Sequence, residues 1–225
     1  MKNDIAIDDA ASKENLPKAE RRTYDAEQTK RELLEVATEE FAAMGLNGAR
    51  VDEIADRTRT SKRMIYYYFG SKEGLYLAVL EKAYSDIREV EKNLTLHNLD
   101  PVAAIRKLVS FTFDYHDAHP EFVRLVSIEN IHRAAYLKTS DSIKTRNVSV
   151  IQTIEDILKA GVEAGVFRSG VDPIDLHMLI SGFCFHRVSN HYTFGTIFGR
   201  DPMSAELKSR HRRMIADAIC AYLEK

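Results

Sequence analysis

The sequence predicts an all-α fold, with an N-terminal helix-turn-helix domain followed by a helical-bundle domain. Three observations predict it. All five prolines, Pro17, Pro101, Pro120, Pro173 and Pro202, stand where a helix can begin or a tail can bend, and none interrupts a periodic run. No glycine occurs between Leu75 and Ala160. Apolar residues recur at steps of three and four, as in Leu75, Val79, Ala83, Ile87, Val90 and Leu94, while strand-like alternation is scarce.

Taken in order, residues 1–24 are polar and of mixed charge, too poor in apolar area to offset their chain entropy, so a disordered tail is expected there. Its Lys13, Lys18, Arg21 and Arg22 either reach a DNA backbone as an arm or are simply solvated. A helix over about 26–44 places Leu33, Ala37, Phe41 and Met44 on one stripe, and Gly45 stops it as a C′ glycine. Asn47-Gly48 has neighbours of helical period, so a helix-to-helix turn is favoured over a hairpin. A second helix over 51–57 turns Val51, Ile54 and Ala55 inward. After a break at Thr58-Arg59-Thr60 a third begins with Ser61 as N-cap, and two short helices joined by a tight turn form a helix-turn-helix. A long fourth helix opens at Ser71-Lys72. Further helices are predicted over about 102–117, 121–134, 142–163, 174–194 and 203–224. The domains expected are 25–85 for the helix-turn-helix and 86–225 for the bundle.

Composition narrows the class. With 44% hydrophobic and 29% charged residues in 225, the chain is a soluble globular protein rather than a disordered, collagenous or membrane-spanning one. A formal charge of -2 does not announce a nucleic-acid binder, so such a role must rest on where the cations lie. Cys184 and Cys220 sit in apolar runs without CxxC spacing, as expected of thiols in a reducing cytosol. The N-terminal residues lack the apolar stretch of a secretory signal, which also predicts a cytoplasmic location.

Residues 57–72 hold five cations, Arg57, Arg59, Lys62, Arg63 and Lys72, and no acid. At about 100° per residue, Lys62, Arg63, Tyr66 and Tyr67 fall on one half of the third helix and Ile65, Tyr68 and Phe69 on the other. One face can dock on the first two helices. The opposite face offers ammonium, guanidinium and phenol groups to phosphate oxygens and base edges. Lys72 adds an ammonium at a helix N-terminus, where anions are favoured. Duplex binding through such a stretch falls steeply with salt. The plainer alternative is a solvated basic face beside a bundle core.

The run from FAAMG through ARVDEIAD to SKRMIYYYFGSKEGLYLAVL resembles the tetracycline-repressor (TetR) family of transcriptional regulators over about 50 residues. The resemblance implies that Lys62, Tyr66, Tyr67 and Lys72 touch operator DNA, chiefly at phosphates, with Thr60, Arg63 and Tyr68 at neighbouring contact positions. Arg50, beside the position where the family has a capping threonine, joins this set. The sequence departs from the family at Ala49-Arg50, where that threonine is missing. Arg59 stands where the family has glycine in the turn, Arg63 replaces a small residue, and Tyr68 replaces a histidine.

The resemblance also implies a ligand-responsive regulator, a repressor rather than an enzyme, that binds a palindromic double-stranded DNA operator as a homodimer and is released by a small-molecule effector. The subunit contact is expected through about 174–194 and 203–224. Candidates for the effector pocket are Phe111, Tyr115, Phe122, Ile128, His132, Phe183 and His186, aromatics with a few polar groups, although an aromatic stripe at helical spacing is more often core than pocket. His116 and His119 lie three apart without a third ligand, so a hydrated surface pair is favoured over a metal site, and no metal or cofactor is expected. His186, Asn190 and Thr193 form a polar stripe on the expected 174–194 helix. A helical ligand carrier or enzyme without a DNA role is the alternative, against which stands the lack of any GxGxxG, P-loop, HExxH or GxSxG motif. A nucleoid-type protein that binds DNA without an effector is the third class.

Overall fold

The computed structural model describes residues 18–225, with side chains from Asp25 onward. Of the tail expected over 1–24, residues 1–17 lie outside the described residues, as do the side chains of Lys13, Lys18, Arg21 and Arg22. The described residues form ten α-helices: α1 (Lys18–Gly48), α2 (Val51–Arg57), α3 (Lys62–Phe69), α4 (Lys72–Lys92), α5 (Pro101–Ala118), α6 (Pro120–Ile131), α7 (Asp141–Glu163), α8 (Pro173–Ser189), α9 (His191–Phe198) and α10 (Ala205–Leu223). Extended pairing among them is limited to one antiparallel bridge, Phe167 with Glu224. None of these helices is long and apolar enough to cross a membrane. The chain divides into two compact units, one ending at Val79 and the other Leu80–Lys225.

In the first unit Leu33, Ala37 and Phe41 of α1, Ile54 of α2, Ile65 of α3, and Leu75 and Tyr76 of α4 are fully buried. Phe41 meets Tyr76 edge-on, ring centroids 5.1 Å apart, the arrangement that suits two aromatic quadrupoles. The backbone leaves helical geometry at Gly45 (φ 66°). That bend turns Met44 out to solvent, against its expected place on the buried stripe, and Leu46 and Ala49 fill the space beneath instead.

The second unit is a bundle in which α5, α7, α8 and α10 share one core, built on Ile105, Leu108, Phe113, Ile154, Ile180 and Ile219. The starts of three of its helices combine a proline at N1 with what precedes it. Asp100 accepts from Ala103 N at 2.9 Å, Asp172 accepts from Ile174 N and Asp175 N, and α6 opens at Pro120 without a side-chain cap. At the other end of α7, Phe167 folds back against Gly161, where any Cβ would lie 1.8 Å from the ring.

Several helix ends differ from expectation. α1 runs Lys18–Gly48 rather than 26–44, so residues 18–24, expected in a disordered tail, are helical, and Gly45 bends the helix instead of ending it. α6 stops at Ile131, not near 134, because the buried Glu129 accepts Tyr136 N and Leu137 N at 3.1 and 2.9 Å and pulls the chain back, with Arg133 and Ala134 at positive φ. The helix expected over 174–194 is two helices. His191 Nδ1 contacts the Val188 carbonyl at 2.6 Å and Asn190 leaves helical geometry (φ -108°, ψ 8°), so local side-chain bonding competes with the ladder. The stripe of His186, Asn190 and Thr193 is interrupted by the same break.

Candidate functional site

The geometry around α3 follows from short-range chemistry. No side chain caps α2. Its N-cap Arg50 instead has its backbone N–H held by Glu40 Oε1 at 3.1 Å, and Asp52 and Glu53 occupy the first turn, where acids suit the helix dipole. α2 ends as Thr60 N returns to the Ala55 carbonyl at 3.0 Å, which forces Arg59 to φ 52°, a left-handed conformation in a residue with a side chain. Ser61 then caps α3 by accepting from Met64 N at 3.3 Å, a contact worth about 1 kcal/mol. Gly70 closes α3, and Ser71 Oγ accepts from Gly74 N at 3.0 Å to start α4.

The result is a two-faced helix. Ile65 is fully buried, whereas Tyr67 is 78% exposed, Tyr66 is exposed, and Lys62 and Arg63 lie on the open surface. Tyr68 is half-buried and packs edge-on between Tyr67 and Phe69, at 5.4 and 6.2 Å. Thr60 and Lys72 are half-buried and Arg50 is exposed; Lys72 Nζ lies 3.5 Å from the Asn47 carbonyl. Lys62 pairs with Asp52 of α2 at 2.9 Å, and its ammonium is held above the ordinary lysine range by the hydrogen bond and then the charge of that carboxylate. Both partners are open to water, so a phosphate can take the ammonium over. Arg57 pairs with Glu39 of α1. Among the described residues Arg63 and Arg59 have no ion-pair partner, which leaves their guanidinium groups free for an external anion.

The ligand candidates from the sequence scatter. Tyr115 and Phe122 are buried together in one cluster with Ile87 and Val188, and Phe111 packs against it. Phe183 packs against the main core, Ile128 is half-buried, and His132 and His186 are exposed. A cavity of about 480 Å³ does lie in the second unit, walled by Glu91, Leu96, His97, Leu99, Thr153 and Ile157 among others, and none of the seven candidates borders it. Large rings fill space with their own volume; this cavity is edged by smaller and polar groups. Its size is that of drug-sized ligand sites.

Sequence reasoning missed the buried polar groups of the second unit, of which Glu91 walls the cavity. Arg88 and Glu91 of α4 are each 7% exposed and paired at 2.5 Å. Burial lowers the guanidinium and raises the carboxyl, each offset in part by the partner's charge. His116 is buried, not a hydrated surface residue as its HDAH setting suggests. Its Nδ1 contacts the Thr112 carbonyl at 2.7 Å, and burial lowers its pKa. His119 instead stacks on Tyr115 at 4.0 Å. His177 of α8 is driven down to about 4 by burial, then by the charges of Arg88 and His116. The only available signal was an Arg and a Glu three apart on one helix, which a solvated pair gives equally well. Among the described residues no three His, Cys, Asp or Glu side chains gather as a metal-holding group. Cys184 is a buried free thiol pushed up to about 12 by burial, and Cys220 is a half-buried one.

Two family descriptions match the chain: "Bacterial regulatory proteins, tetR family" over residues 33–79, and "Tetracyclin repressor-like, C-terminal domain" over 101–219. The chain is 32% identical over 196 residues to the HTH-type transcriptional repressor NicS of Pseudomonas putida, covering 87% of this chain and 92% of that one. Among solved structures it resembles the transcriptional regulator SCO4942 from Streptomyces coelicolor, with TM-score 0.63, 26% identity, and 87% and 98% of the two chains covered. Its fold also matches AibR in complex with isovaleryl coenzyme A and operator DNA, with TM-score 0.62, 19% identity, and coverage of 87% and 98%.

Proposed function

Because this chain belongs to the TetR family of bacterial regulatory proteins, we propose that it is a transcriptional repressor that binds a palindromic operator as a homodimer and is released by a small-molecule effector. One observation carries the reading. α3 buries Ile65 completely and turns Lys62, Arg63, Tyr66 and Tyr67 to solvent, which is what a groove-reading helix requires. Lys62, Tyr66, Tyr67 and Lys72 grip phosphates, Arg63 reads a base edge, and Arg50, Thr60 and Tyr68 flank them. A relative named as a repressor, and a fold shared with a regulator solved with an acyl coenzyme A and its operator, support both halves of the proposal.

Two copies of α3 must meet half-sites about 34 Å apart. The apolar residues that α8 and α10 leave exposed, Ile174, Met178, Leu179, Met214 and Tyr222, support subunit contact through these helices. The effector binds in the second unit, where the cavity beside Glu91 supplies the room. α4 runs without a break from Lys72 to Lys92 and so carries residues of both units; a shift of the effector-bound form by about 3 kcal/mol already weakens operator binding some 150-fold. The protein acts on DNA in the cytoplasm and catalyses no reaction.

A gel shift on DNA flanking its own coding region tests this, repeated with small acids, aromatics and cationic drugs. Sequence-selective retardation, at least about 10³-fold over random DNA, and release by one compound are expected. Equal retardation of all DNA, with no compound effect, would sink the reading in favour of a nucleoid-type role.

A further inference from the structure

Where α5, α8 and α10 meet, the second unit holds more positive than negative charge. Arg187 of α8 is 5% exposed and gives Nη1 to Asp117 Oδ1 of α5 at 2.5 Å, while Lys208 of α10 takes Asp117 Oδ2 at 2.5 Å. Two cations thus share one carboxylate. Burial alone pushes the Asp117 carboxyl up, but the hydrogen bonds from Lys208 and Arg187 bring it below the ordinary range, so it is ionised. Next to this group Arg212 and Asp114 neutralise each other, with Nε 3.0 and 2.9 Å from the two carboxylate oxygens. His211 adds no charge near neutrality, because burial and then Arg187, Arg200 and Arg210 lower its pKa. Among Arg187, Lys208, Arg212, Asp117 and Asp114 one positive charge is left over, before Arg200 and Arg210 are counted.

The hydrogen bonds tell the same story. Among the described residues four buried side-chain nitrogens lack a partner, and three of them are here: Nε and Nη2 of Arg187 and Nδ1 of His211. Nε and Nη2 form the side of the guanidinium that receives a carboxylate in two parallel bonds. One face of the group lies over the Phe113 ring, 4.6 Å from its centroid, which fixes the plane of that fork. Long helical side chains lean toward the helix N-terminus. One turn in that direction, the rings of Phe183 and His211 meet edge-on at 6.0 Å, and both residues are half-buried.

We propose that this cluster is a binding site for a small organic carboxylate, separate from the cavity beside Glu91. The two carboxylate oxygens take Arg187 Nε and Nη2, His211 donates from Nδ1 to one of them, and the apolar body of the ligand parts the Phe183–His211 rings and rests on Phe183. The ligand's charge cancels the surplus, and its bonds satisfy the three nitrogens. It also ties α5 more firmly to α8 and α10.

Calorimetry on the full chain with acetate, hexanoate and benzoate, at constant ionic strength set by sodium chloride, tests the proposal. Saturable one-site binding is expected for at least one of the three, tightest for those with an apolar body, and weakened at least tenfold by Arg187→Lys. That variant keeps a cation on Asp117 but lacks the two-nitrogen edge. Binding unchanged in Arg187→Lys overturns the site, equal competition by chloride or phosphate overturns the carboxylate class, and no binding by any of the three overturns both. Should Arg187→Lys fail to fold, the wild-type chain still decides: the Arg187 Nε–H resonance shifts and saturates with the bound acid, and a resonance that stays put overturns the proposal. Operator retardation by the unliganded protein is a separate readout, so failure here leaves the DNA-binding reading standing.

Discussion

In the first unit the cations of α3 point outward; in the second the ion pairs Arg88–Glu91 and Arg187–Asp117 are buried. Lys62 and Arg63 stand in water on a helix whose other side is sealed by Ile65, so each can be lost without disturbing the fold. Arg88, Glu91, Asp117 and Arg187 lie within the bundle, and removing one partner leaves the other charged in a medium that solvates it poorly. An outward cation is a handle for a polyanion, whereas an inward pair is a structural commitment. Arginine therefore plays two parts: exposed at Arg63 its loss is expected to spare the fold, whereas buried at Arg88 and Arg187 its pairing also bears on stability.

The sharpest way to break this contrast is Glu91→Leu, which strands the Arg88 guanidinium. It should cost about 3–5 kcal/mol in urea denaturation, and adding Arg88→Met should restore most of it. A double variant as unstable as the single would show that the pair's charge is not what matters. Acid offers the next test. The folded pKa of His177, about 4, lies below the ordinary histidine value of 6.5, so the unfolded chain binds the extra proton. Its contribution is complete above pH 6.5 and is lost as pH falls toward 4, by about 3 kcal/mol at most. His177→Gln should flatten the melting temperature over that window.

Smaller effects are expected on the outward side. Arg63→Ala should leave the melting temperature unchanged and reduce discrimination between operator and single-base variants by about 1–3 kcal/mol in competitive gel shifts. Lys62→Ala should weaken binding to every sequence alike and reduce the slope of log affinity against log salt by about one. If either change unfolds the first unit, the outward assignment fails.

Legibility in the sequence follows the same divide. Pro101, Pro120 and Pro173 mark helix starts and Ser61 marks the cap of α3, because each acts through its own backbone or that of residues within one turn; Gly45, read as a stop, is a bend because the chain resumes helical geometry beyond it. The end of α6 was hidden because Glu129 bonds the backbone seven and eight residues ahead. The burial of His116 and the pairing of Arg187 with Asp117 depend on which helices adjoin, a fact no local spacing contains. For the same reason the outward face of α3 could be worked out by angle, while the cavity walls beside Glu91 could not.

The corner at Arg59 sets durability against grip. Its backbone sits where glycine is at ease, and replacing it with glycine would relax the turn by about 1 kcal/mol while deleting a cation from the surface α3 shares. A selection for heat tolerance alone would drift toward that glycine and return a sturdier turn with one guanidinium fewer beside α3.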